Sequence, residues 1–234
     1  MPTIVAHRGG AGLAPENTLP AFRNALRLGV QAVELDVRLT ADEVPVCFHD
    51  ERLGRITPAQ GRIADWQWAR LREVAVQSGA FGGAYPDARI PSLEEVLAGF
   101  PGDCRVLVEL KPDPARADLL VRRTLEVIGG AASRCRLISF DPELLRRVRA
   151  ACPGAALGVL AGPRAAASLF PLARELGAEA VQPQSRLVDP ALVQAAREAG
   201  FLVNAWTVNT ADEGRRLAAL GVDEITTDYP DLFL

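Results

Sequence analysis

Asp189-Pro190-Ala191-Leu192-Val193-Gln194-Ala195-Ala196-Arg197-Glu198-Ala199-Gly200-Phe201-Leu202-Val203-Asn204-Ala205-Trp206 reads as one helix followed by one strand. Asp189 is an N-cap, and Pro190 takes the first helical position, where a missing N–H costs nothing. Leu192, Val193 and Ala196 recur at helical spacing, and Gly200 stands where a helix can end in the left-handed conformation. The short apolar run behind it reads as a strand. This unit repeats. Apolar runs end near Phe140, Ala161, Gln184, Trp206 and Asp228, in steps of 21, 23, 22 and 22 residues. Asp141-Pro142 opens another helix, marked by Leu144, Leu145 and Val148, while Thr210 to Glu213 and Ser92 to Glu95 read as capping boxes. Gly221 is a further helix end. Strands alternating with helices at this interval argue for parallel βα units.

Upstream, apolar runs ending at His7, Asp36 and Lys111 raise the count of strand ends to eight. Eight βα units in 234 residues predict a TIM-type (β/α)8 barrel, with residues 1–234 as a single barrel domain, rather than an open doubly wound sheet. Strand C-termini share one face of a barrel, so His7, Glu34, Asp36, Glu109 and Lys111 are expected to gather there. A ninth strand, Val44 to Phe48, ends at His49. Only seven residues separate it from Asp36, too few for a parallel crossover, so a β-hairpin is expected. A two-residue turn at Asp42-Glu43 would pair Asp36 with His49 on one face, whereas a three-residue turn would reverse His49. Residues 51–91 fit no βα unit. They carry Gly54, Pro58, Gly61, Gly79, Gly82, Gly83 and Pro86, with one short helix expected around Trp66 to Val74. This stretch reads as an insertion at the catalytic face, a lid or a surface flap.

The net charge of −3 supplies no field for nucleic acid or an anionic membrane surface, so an anionic ligand must be met by local cations. Four cysteines lack any C-x-x-C spacing, and Cys47, Cys104 and Cys135 lie in or beside apolar runs as small buried hydrophobes. No signal peptide or membrane span is read, so a cytoplasmic location without stable membrane association is expected. No motif bears on oligomeric state.

The chemistry is concentrated in few residues. There are two histidines, and Lys111 is the one lysine beside 25 arginines. Glu34 and Asp36, like Glu109 and Lys111, lie two apart on strands and so share a face. Two adjacent carboxylates at the end of an apolar run need a cation between them. Oxygen ligands from Glu34, Asp36 and Glu109 suit Mg²⁺ or Ca²⁺ better than zinc. His7 and His49 are proton carriers suited to neutral pH, Arg8 and Lys111 can meet a phosphate, and Gly9-Gly10 can bring backbone amides near an anion.

These residues fall in ordered motifs: His7-Arg8-Gly9, Pro15-Glu16-Asn17-Thr18, Glu34-Leu35-Asp36-Val37, Thr40, Asp42, Val46, His49-Asp50, Glu109-Leu110-Lys111, Ser139-Phe140, Trp206-Thr207-Val208-Asn209 and Thr227-Asp228-Tyr229-Pro230. The whole chain thereby resembles the glycerophosphodiester phosphodiesterases. One departure is Glu43, where that family often has glycine at the hairpin turn. The resemblance implies a TIM-type barrel, one divalent metal (Mg²⁺ or Ca²⁺, with Mn²⁺ also suited) and hydrolysis of diesters such as glycerophosphocholine or glycerophosphoethanolamine to sn-glycerol 3-phosphate and an alcohol. It implies Glu34, Asp36 and Glu109 as metal ligands, His7 and His49 as the acid/base pair, and Arg8 and Lys111 on the phosphate. Trp206 would wall the glycerol side or serve as a barrel-top core aromatic. Asn17 would support the metal ligands or cap a helix. Two alternatives remain at this stage. One is a related lipid phosphodiesterase of lysophospholipase D type, hinted at by Trp66, Trp68, Phe81 and Tyr85. The other is a catalytically silent barrel that binds phosphorylated ligands.

Overall fold

The computed structural model describes residues 1–77 and 79–234. Eight parallel strands close into a barrel: β1 (Thr3–Ala6), β2 (Ala32–Leu39), β6 (Arg105–Leu110), β7 (Cys135–Ser139), β8 (Ala156–Ala161), β9 (Ala180–Pro183), β10 (Leu202–Ala205) and β11 (Glu224–Thr227), with β1 pairing both β2 and β11. All eight expected strand ends fall at or next to the observed ones except on β2, which runs three residues past Asp36. Helices α1 (Leu19–Leu28), α3 (Leu93–Ala98), α4 (Ala117–Ile128), α5 (Pro142–Ala151), α6 (Leu169–Leu176), α7 (Pro190–Ala199) and α8 (Ala211–Leu220) surround it. Asp189 and Asp141 accept from Leu192 and Glu143 N–H, and Ser92 forms both halves of a capping box with Glu95. Thr210 makes only one half. Its hydroxyl accepts from Glu213 N–H, while the Glu213 carboxylate is drawn away to Arg216.

Period-two alternation sorts the barrel interior into layers. Val5, Ala32, Leu107, Ile138 and Leu160 form an inner apolar layer, separate from the larger core between sheet and helices. Below it, nearer the strand N-termini, Arg136 makes a bidentate pair with Glu224 at 2.6 and 3.2 Å. Asn204 donates to Glu224 at 3.0 Å, and Arg105 also reaches it. Gly158 makes room for this network, because a Cβ there would lie 3.1 Å from Arg136 Cδ and 2.2 Å from Gln182 Nε2.

The hairpin carries the main correction. Strand β3 (Pro45–Cys47) runs antiparallel to β2 with Val37 opposite Cys47 and Leu39 opposite Pro45, so Phe48 rather than His49 comes back to Asp36. Phe48 N–H donates to the Asp36 carbonyl at 3.0 Å. The turn has three residues, Ala41 to Glu43, not two: Glu43 alone is left-handed, with φ 66°, whereas a two-residue type I′ turn would need Asp42 left-handed as well. His49 nevertheless reaches the barrel mouth, since the ladder stops at Cys47 and the chain bends at His49 and Asp50.

Residues 51–91 build a small layer against this hairpin. Strands β4 (Arg52–Leu53) and β5 (Gly61–Arg62) pair antiparallel. The expected helix is shorter than predicted, with α2 spanning Trp68–Leu71. Val46 and Phe48 of the hairpin pack with Leu53, Ile63, Leu71, Val76, Ala88 and Ile90 in a core of their own. No helix among the described residues is long and apolar enough to cross a membrane.

Candidate active site

His7 follows β1 directly, in a tight turn that places Arg8 at a left-handed φ of 51°. Gly9 is needed for this path. A Cβ there would stand 2.9 Å from Ala21 Cβ and from the Phe22 backbone nitrogen. The Gly10 amide donates to the His7 carbonyl, so that amide is spent on the turn. The turn aims two groups into the mouth: the His7 imidazole, and the Arg8 amide, which donates to Glu34 Oε2 at 3.0 Å.

Glu34, Asp36 and Glu109 converge, with one carboxylate oxygen from each within 4.8 Å of the others. All three are buried. Asn17 grips Asp36 at both ends, donating to Oδ2 at 2.7 Å and accepting the Asp36 N–H at 3.2 Å, while Thr18 takes the helix-capping role. Lys111 Nζ lies 2.8 Å from Asp36 Oδ1 and 2.5 Å from Glu109 Oε1, and Arg8 Nε lies 3.2 Å from Asp36 Oδ2. Burial disfavours the Asp36 carboxylate, but Lys111 and Arg8 outweigh it and hold its pKa below the usual range. At its neighbours the same cations do not prevail. Burial and the Asp36 charge push Glu109 up to about 8 and also raise Glu34. Glu34 Oε1 is buried without a hydrogen-bond partner. Three carboxylates with two cations and an orphaned oxygen form a donor set that a hard divalent cation fits.

Each histidine is held by a carboxylate that the sequence reading left without a role. His7 Nδ1 lies 2.6 Å from Asp228 Oδ1, and Asn209 donates to the other Asp228 oxygen at 2.6 Å. His49 Nδ1 lies 2.7 Å from Asp50. In both cases Nδ1 is engaged, which turns Nε2 away from the supporting carboxylate. Burial opposes protonation of His7, but the Asp228 contact and Glu34 prevail and raise its pKa. At His49 burial dominates and lowers it. Arg55, from the 51–91 segment, joins these parts: it donates to Asp50 at 2.6 Å and to Glu16 at 2.7 and 2.8 Å, and Glu16 also accepts from Arg8 at 2.9 Å. Asp228, Asn209, Asp50 and Glu16 lie in motifs visible in the sequence, but the contacts are long-range, and only the fold pairs residue 7 with residue 228.

An open cleft of about 530 Å³ is lined by His7, Arg8, Glu34, His49, Glu109, Lys111, Phe140, Trp206 and neighbours. The structure thus brings together the predicted residues, with Asp36 and Asn17 directly beneath. Trp206 meets Phe140 edge-on at 5.2 Å and donates from Nε1 to the Gln182 carbonyl at 2.7 Å, so it both lines the cleft and packs on the inner layer.

Residues 7–232 match the model of the glycerophosphoryl diester phosphodiesterase family. The chain belongs to this family. Membership makes it a phosphoric diester hydrolase on a TIM-type barrel. It is 31% identical to a glycerophosphodiester phosphodiesterase of Caldanaerobacter subterraneus subsp. tengcongensis, over 99% of this chain and 96% of that one. Among solved structures, it superposes on an Oleispira antarctica phosphodiesterase in complex with the product sn-glycerol-3-phosphate at a TM-score of 0.90, with 29% identity over 98% of this chain and 94% of that one. A glycerophosphodiester phosphodiesterase from Agrobacterium tumefaciens gives a TM-score of 0.84 at 29% identity, covering 100% and 99% of the two chains.

Proposed function

We propose that this protein hydrolyses small glycerophosphodiesters, such as glycerophosphocholine and glycerophosphoethanolamine, to sn-glycerol 3-phosphate and an alcohol with one bound Mg²⁺ or Ca²⁺, Mn²⁺ also being suited. The observation that carries this is the buried triad Glu34, Asp36 and Glu109, with its orphaned oxygen, in one cleft with two carboxylate-supported histidines. The three carboxylates would hold the ion, which when bound would supply Lewis-acid polarisation of the phosphate and offset its charge. Arg8 and Lys111 neutralise the remaining phosphate oxygens and stabilise the charge that builds up in the transition state. One of His7 and His49 takes the proton of the attacking oxygen, and the other gives a proton to the departing alkoxide. The same two nitrogens serve whether water or a neighbouring glycerol hydroxyl attacks first. Asp228 and Asp50 fix the tautomers. Trp206 walls the glycerol side, and the 51–91 segment covers the His49 edge as a lid.

The surface supports water-soluble substrates. Of the four aromatics that had hinted at a lipid substrate, Trp66, Trp68 and Tyr85 pack against the segment's own core, and Phe81 meets Tyr85 edge-on at 5.6 Å. Intact histidines and carboxylates speak against a silent binding barrel. Four free thiols suit the reducing cytoplasm.

Exhaustive chelation is expected to abolish glycerophosphocholine hydrolysis, and Mg²⁺, Ca²⁺ or Mn²⁺ to restore it. Full turnover in metal-free protein would overturn the role of the triad. Glu34→Gln supplies a readout independent of activity. It should remove the rise in Tm that added metal produces, while leaving the Tm of the metal-free protein unchanged or higher, because it relieves carboxylate crowding.

A further inference from the structure

Beside the catalytic cleft lies a second, smaller one, and Lys111 lines both. Its walls come from the hairpin, the β6–α4 loop and the start of the 51–91 layer. Its charged lining comprises Arg38, Arg62, Lys111 and Arg116 against Glu51 and Asp113. Arg62 is taken by Glu51 at 2.8 Å, and Lys111 by the metal-site carboxylates. The other two guanidiniums bond only backbone carbonyls among the described residues: Arg38 Nε donates to His49 O at 2.9 Å, and Arg116 Nη1 to Thr40 O at 2.9 Å. A half-buried guanidinium facing a cleft without a carboxylate in contact calls for an anion, and its planar fork suits phosphate.

The position relative to the reaction gives this cleft its meaning. Arg38 is two residues beyond Asp36 on the same face of β2, about 7 Å further along at ordinary strand rise. That step is of the order of a three-carbon alcohol, starting from a phosphate held by Arg8 and Lys111. It leads toward His49 and away from the Trp206 wall on the glycerol side.

We propose that this second cleft receives a phosphate carried by the departing alcohol, so that the preferred substrates are glycerophosphodiesters whose alcohol bears a second phosphate group. This rests on the phosphodiesterase function proposed above and narrows its substrate class.

The test compares three probes in saturating Mg²⁺ or Ca²⁺: glycerophosphocholine, glycerophosphoglycerol and bis(glycerophospho)glycerol. The intact protein should show kcat/KM for the doubly charged diester about tenfold above that for glycerophosphoglycerol, the scale of one charge-assisted hydrogen-bonded contact. Arg38→Gln and Arg116→Gln should each erase most of this preference through KM. Because Arg38 also holds the His49 backbone, each variant is judged by the ratio of the two substrates, with glycerophosphocholine as the common reference. Equal kcat/KM values in the intact protein, or an unchanged ratio in both variants, would overturn the proposal while glycerophosphocholine turnover leaves the basic function standing. Turnover of none of the three would overturn both together.

Discussion

At the scale of single residues, Lys111 is the cation most closely tied to the triad. It is buried, it contacts two of the three triad carboxylates, and its ammonium lines the catalytic cleft. A compact point charge on a flexible stem fits between Asp36 and Glu109, whereas a planar guanidinium needs more room and two acceptors in one plane. Lys111→Arg is therefore expected to keep the charge and the fold yet lower kcat/KM at least about tenfold by displacing phosphate or ion, a loss of about 1.4 kcal/mol in transition-state binding. Steady-state kinetics with a thermal melt checks this. Values within about twofold of the parent, at equal Tm, would take Lys111 out of the phosphate site. The identity of such residues was legible because their types are scarce in this chain. Their partners were not. Asp228 and Glu16 stand in visible motifs but have no assigned partner, and Arg55 resembles any other charged residue, until the fold sets them against His7, Arg8 and Asp50.

At the scale of elements, the βα units could be read in advance because buried parallel strands and capped helices leave local signatures: an apolar run, an Asp-Pro start, a glycine stop. The hairpin register could not. Both a two-residue and a three-residue turn were open, and the choice hinges on backbone dihedrals that side-chain type does not announce, since a glutamate is not the residue expected at positive φ. Arg123 holds the Glu43 carboxylate at 2.5 and 3.0 Å, which helps explain why a non-glycine residue is tolerated there. The conformation itself is still costly for any residue with a Cβ, and most of all for a β-branched one. Glu43→Gly should therefore hold or raise Tm despite losing the exposed ion pair, and Glu43→Val should lower it by a few degrees. Activity should be preserved in both. A fall in Tm with glycine would show that the Arg123 pairing, and not the turn geometry, secures the hairpin that delivers His49.

At the scale of the whole molecule, the barrel separates chemistry from stability along its axis. The mouth collects under-compensated charge, two raised carboxyls among it, while the opposite end is closed by the satisfied Arg136–Glu224 network. Nothing in the sequence announced that network, because single charged residues interrupting apolar runs are ordinary. Burial works against the Glu224 carboxylate, but Arg136 and Arg105 outweigh it and depress its pKa. The sign of the pH effect follows. Near pH 4.5 the unfolded chain binds more protons at this site than the folded one, so the stabilisation is complete above the unfolded pKa and is lost as pH falls through the folded value. Glu224→Gln should flatten the acid limb of the stability curve below about pH 4.5. It should also cost about 3 kcal/mol near neutrality, because Arg136 is left buried with only Glu179 as a carboxylate partner. Replacing both members with apolar residues, as in Arg136→Met with Glu224→Leu, should recover much of that loss. Turnover at 25 °C should stay near the parent value in both variants, since the network lies at the barrel end remote from the cleft. Denaturant unfolding at several pH values beside kcat decides it. A Glu224→Gln variant with parent-like stability at pH 7 would show that the network does not close the barrel, and one with full stability but lost turnover would tie this end of the barrel to catalysis.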